Sequence, residues 1–161
     1  MKFSICIIWV FLSLAFSNCK NPGSIVPTIR IHTIRLLPGQ DVLPQLKKIV
    51  AEKNIQAGFI MSAVGSLTQY HIRFANQPEG TKGTGHFEVV SLTGLLSVNG
   101  NHVHISVSDS TGRTIGGHLL DSNLVYTTLE VVIGEDPDHV YHRETDSTYG
   151  YKELMVKPVV K

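Results

Sequence analysis

Cysteine is nearly absent from this chain of 161 residues: the two present, Cys6 and Cys19, both lie in the first nineteen positions. With that segment removed, no disulfide can form within one chain, so the core must be stabilised by packing, with a bound metal as the further option. Charge is scarce as well. Charged residues make up 17% of the chain, with 14 Lys and Arg against 13 Asp and Glu. Residues 1–19 hold one of these, Lys2, so the remainder is balanced at zero. No run of Lys or Arg stands out, and the electrostatic footprint needed to neutralise a phosphate backbone is missing. Glycines at 80, 83 and 85 lack the strand-to-helix context of a phosphate cradle. No Ser-His-Asp or Cys-His arrangement is readable.

What is there begins with the N-terminus. Lys2 precedes an apolar stretch from Ile5 to Phe16, broken by Ser13 and followed by Ser17, Asn18 and Cys19. This is the layout of a secretory signal peptide, too short for an ordinary membrane span. Residues 14–20 are similar to the end of a bacterial lipoprotein signal, which makes Cys19 a candidate lipidation site; plain cleavage near Ser17 is the alternative. The expected locations are periplasm, outer membrane or exterior, with membrane contact only through such a lipid. Residues 20–28, with Pro22 and Gly23, read as a linker, and one domain follows over 29–157.

The domain's periodicities predict an α+β fold, a mostly antiparallel sheet with one main helix packed on it. A first strand begins at Ile29. Asp41 is placed to cap a helix from Val42 to about Asn54, with Leu43, Leu46, Ile49 and Val50 on one face. Strands follow at 58–64, 69–74, 87–98 (bent at Gly94), 103–108, 114–120 and 125–133. A glycine-rich loop is expected over 76–85, and shorter strands at 140–143 and 149–156.

The chemistry concentrates in Asn101-His102-Val103-His104-Ile105-Ser106. Histidines two apart on a strand share a face, while Val103, Ile105 and Val107 face the other way. If Ser110-Thr111-Gly112 forms a three-residue hairpin loop, residue 109 pairs with 113, and His104 falls opposite His118. A two-residue turn would put His118 on the wrong side, and Gly116-Gly117 could hold a bulge that re-aims it. In the first register three imidazoles meet. Such a set suits zinc or another divalent transition metal, with a vacant position for a water made more acidic by the ion. Glu130 and Asp121 are the candidate carboxylates for a proton-transfer role. His32, His71, His86, His139 and His142 are assigned to solvent or local hydrogen bonds.

Gly85-His86-Phe87-Glu88-Val89-Val90, then His102-Val103-His104, then Gly112-Arg113-Thr114-Ile115-Gly116-Gly117-His118, and the strand from Val125 to Gly134 together resemble the plants-and-prokaryotes-conserved (PPC) domain, in its prokaryotic branch. The resemblance covers about Ile29 to Val156. It implies a small α+β fold, association as homotrimers, and metal, typically zinc, at the three histidines. Plant members carry the domain beside AT-hooks. No Arg-Gly-Arg-Pro core occurs here, and His86 replaces the usual Arg, so neither DNA binding nor the plant-type partner contact carries over. Three functions remain open: an exported metal-binding trimer with a binding or structural use and room for a small-molecule ligand, a metal-dependent hydrolase or lyase, and a DNA-associated regulator.

Overall fold

The structure, a computed structural model, describes residues 28–160. The signal segment 1–19 with Cys6 and Cys19, and nearly all of the 20–28 linker, lie outside the described residues. Within them the order is β1 (Arg30–Leu36), α1 (Val42–Glu52), β2 (Gly58–Arg73), β3 (Thr81–Leu96), β4 (His102–Ser108), β5 (Thr114–Leu119), β6 (Leu124–Glu135), β7 (His139–Thr145) and β8 (Lys152–Pro158).

Six strands form one antiparallel sheet in the order β1-β6-β2-β3-β4-β5. The end of β2 also pairs with β5, through Ile72↔Leu119 and Arg73↔His118. The sheet therefore curls until β2 to β5 enclose apolar side chains. Val103, Ile105 and Val107 of β4 point inward with Leu67, Ile72, Val89, Leu92 and Leu119. α1 buries Val42, Leu46 and Val50, spaced four apart on one stripe, in the same core cluster as Leu36, Leu129 and Ile133. β7 and β8 make a separate two-stranded hairpin. It is tied down at its base, where the Tyr141 N–H donates to the Gln56 carbonyl and Ser97 Oγ to the Tyr141 carbonyl.

Four details differ from the sequence expectations. Asp41 sits at the N-cap position, but its carboxylate makes no cap bond to the helix. It accepts instead from the backbone N–H groups of Ser122 and Asn123, joining the helix start to the turn before β6. The two strands expected over 58–74 are one strand of 16 residues, β2, whose register shifts near Ile60, Gly65 and Leu67 absorb the interruption. Residues 81–85, expected in a loop, belong to β3 and pair with β2. A Cβ at Gly83 would lie 2.4 Å from the Tyr70 ring, so glycine is required there by the neighbouring strand and not by a turn. The last strand is displaced to 152–158, after a turn closed by Gly150 N–H donating to the Asp146 carbonyl.

Candidate metal centre

The β4–β5 hairpin sets the site. Asp109 Oδ1 accepts from the Thr111 N–H (2.8 Å), the Thr111 hydroxyl (2.6 Å) and the Arg113 N–H (3.1 Å). Gly112 occupies φ +83°, a conformation glycine adopts at no steric cost. The Asp109 N–H bonds the Arg113 carbonyl, which is the three-residue loop. Register follows: Ser108↔Thr114, Ser106↔Gly116, His104↔His118. There is no bulge at Gly116-Gly117. The glycines serve close approach instead: a Cβ on Gly117 would lie 2.5 Å from the Arg73 carbonyl, and one on Gly116 2.4 Å from Ser106 Oγ. That approach lets β5 lie against β4 and β2 together.

His102, His104 and His118 are thereby gathered on the outer side of the curled sheet. One ring nitrogen from each can be chosen so that all lie within 4.8 Å of one another. His102 Nε2 and His104 Nε2 are 3.2 Å apart, and the ring centroids are separated by 4.9, 5.2 and 5.7 Å. Burial, followed by His102, Arg73 and His104, brings His118 down to about 4, and burial, then His104, lowers His102. Burial thus disfavours the protonated form of His118 and His102 and favours the form with a free lone pair. His118 Nδ1 is buried with no hydrogen-bond partner. A nitrogen left so costs about 1–3 kcal/mol, which bonding to a cation would relieve. The three residues therefore fit a divalent transition metal, with imidazole nitrogen as the donor set.

The candidate carboxylates do not join this cluster. Glu130 pairs with Val64 on an exposed part of β6, whereas His118 pairs with Arg73, nine residues further along β2, or roughly 30 Å of strand. The Asp121 carboxylate faces Lys47 Nζ at 3.4 Å, and its backbone carbonyl meets His71 Nδ1 at 2.7 Å. Asp121 does line a smaller hollow of about 360 Å³ that reaches His118. Three more of the outlying histidines have local partners: His32 meets Glu135, His139 meets Asp136, and His86 stacks on Tyr126.

A larger cleft of about 840 Å³ opens beside His102 and His118, between the main sheet and the β7–β8 hairpin. Arg73, Arg143, Lys152 and Glu153 line it. No motif in the sequence announces these four. Arg73 ends β2 and the others belong to the hairpin, so only the folded chain brings them to the histidines.

Comparison with known proteins gives a consistent picture. The family model described as the Plants and Prokaryotes Conserved (PCC) domain matches residues 23–137. The bifunctional protein GlmU of Synechococcus sp. (strain JA-2-3B'a(2-13)) is 38% identical over 149 residues, 92% of this chain but 24% of that protein. This chain thus spans about a quarter of the length of the curated relatives it matches. A hypothetical protein from Salmonella enterica has a solved structure that is 41% identical, with a TM-score of 0.82 over 84% of this chain and 98% of that one. A metal-containing protein from Archaeoglobus fulgidus is 26% identical, with a TM-score of 0.68 over 81% of this chain and 98% of that one.

Proposed function

Since the chain belongs to the Plants and Prokaryotes Conserved domain family, we propose that it is an exported metal-binding member, acting as a trimeric binding or structural module with zinc or a similar divalent ion on His102, His104 and His118. The observation that carries this is the convergence of three imidazole nitrogens within 4.8 Å, one ring having an orphaned buried nitrogen. A relative named as metal-containing supports it. A divalent ion bound there would supply Lewis acidity at the mouth of the cleft.

Export rests on residues 1–19 and their resemblance to a signal peptide, with Cys19 as the lipidation candidate. Trimer formation is supported by an apolar surface on the sheet face turned away from α1. Ile31, Met61 and Val64 are 53%, 52% and 60% exposed there, and Ile31 and Met61 both neighbour Gly134. An exposed apolar patch of this kind marks an association surface.

The test is metal content by mass spectrometry after zinc loading and gel filtration, with His104→Ala as control. The expected result is one zinc per wild-type chain and a loss of at least tenfold in affinity for the variant. Equal, substoichiometric zinc in both would remove the reading.

A metal-dependent hydrolase or lyase is the second reading, favoured by the cleft at the histidines. Its carboxylate is then Glu153, which lines the cleft, in place of Glu130 or Asp121. Chelator-sensitive turnover of an ester, lactone or phosphoester panel, lost in Glu153→Gln, separates it from the first.

A further inference from the structure

The cleft has a sign. Arg73, Arg143 and Lys152 line it against a single carboxylate, Glu153. Among the described residues, no Asp or Glu comes within ion-pair distance of any of the three cations. The one hydrogen bond from the Arg73 guanidinium is long, 3.4 Å to the Gln77 carbonyl. Some of the other cations do find a carboxylate: Lys47 pairs with Asp121, Lys48 with Glu52 and Lys157 with Glu144. Arg73, Arg143 and Lys152, gathered in one concavity, form a recognition surface for an anion.

We propose that the cleft binds a small organic anion that bridges the metal and the Arg73–Arg143 pair, one acidic group on each. This deepens the metal reading and rests on it. The two arginines come from different strands, β2 and β7, and share the cleft lining with His102 and His118. Guanidinium forks match carboxylate and phosphate oxygens two by two, and Lys152 adds a point charge. Packing sets Arg143 in place: its Cβ and Cγ lie against Gly100, where an added methyl would come within 3.0 Å of Cγ. Arg143 and Lys152 lie beyond residue 137, where the family match ends. The site so built joins residues of the matched segment, Arg73, His102 and His118, to two cations of the C-terminal hairpin. Carboxylate and phosphate share the chemistry, and the experiment separates them.

Zinc-loaded protein is titrated calorimetrically with succinate, citrate and inorganic phosphate, and with glycerol as the uncharged control. Wild type, Arg143→Ala, Arg73→Ala and Glu153→Gln are compared, each after its zinc content is measured. Expected is one anion per chain, a loss of about tenfold for each arginine variant at unchanged zinc content, and a gain for Glu153→Gln. Tighter binding of the carboxylates marks an organic acid as the ligand class, and tighter binding of phosphate marks a phosphorylated one. Full zinc with no anion binding, or with binding indifferent to both arginines, overturns the anion site and leaves the metal reading intact. No zinc in the wild type overturns the metal reading, and the bridge with it.

Discussion

At the scale of single residues, the site is a problem of protons. His118 is held at about 4 mainly because it is buried, with His102, Arg73 and His104 adding repulsion. Its folded pKa lies below the unfolded value near 6.5, so between the two the unfolded chain binds more protons. Metal-free protein should therefore hold this contribution to stability fully above about pH 6.5 and lose it as pH falls towards 4. Titration of the histidine ring resonances checks this: His118 should stay neutral to about pH 4, and a midpoint at 6.5 would contradict the burial seen here. Asp41 offers a second residue-scale test. Its carboxylate holds two backbone N–H groups, at Ser122 and Asn123, beside the fully buried Asn123. Asp41→Asn, which keeps one acceptor, should be mild in urea denaturation. Asp41→Ala should cost about 1–3 kcal/mol.

At the scale of elements, the β4–β5 hairpin turns sequence spacing into geometry. Its loop was legible because Gly112 is suited to the left-handed position of a three-residue turn, and pairing His104 with His118 then follows from counting. The role of Gly117 was not legible, since the strand it must accommodate, at Arg73, lies more than forty residues earlier. Gly117→Ala would press a methyl on the Arg73 carbonyl, at 2.5 Å. It should destabilise the protein by about 1–3 kcal/mol and weaken zinc binding, both readable from denaturation with and without metal. β2 was misread as two strands because shifts in register look like loops when only the local pattern is seen. The start of β3 was misread because Gly83 answers to Tyr70 across the ladder.

At the scale of the whole molecule, the fold class and the helix stripe were readable from periodicity because each depends on neighbours along the chain. The cleft was not, since it depends on a hairpin folding back over a sheet. Arg73 and Arg143 are seventy residues apart in sequence and line one cleft only in the folded chain. The exposed apolar face is likewise a property of the assembled sheet, with Ile31, Met61 and Val64 drawn from two strands. If it is the trimer surface, light scattering should give three times the chain mass, and Val64→Lys should shift it to monomer with the fold retained by circular dichroism. A monomeric wild type would remove the trimer from the account and leave the histidines untouched.

All of this chemistry depends on three rings from two strands holding one ion. X-ray absorption at the zinc edge of the loaded protein reads that directly. The account predicts three imidazole nitrogens at about 2.0 Å, completed by a light-atom donor. A best fit with one imidazole or none, the rest of the shell being solvent or carboxylate oxygen, would contradict it.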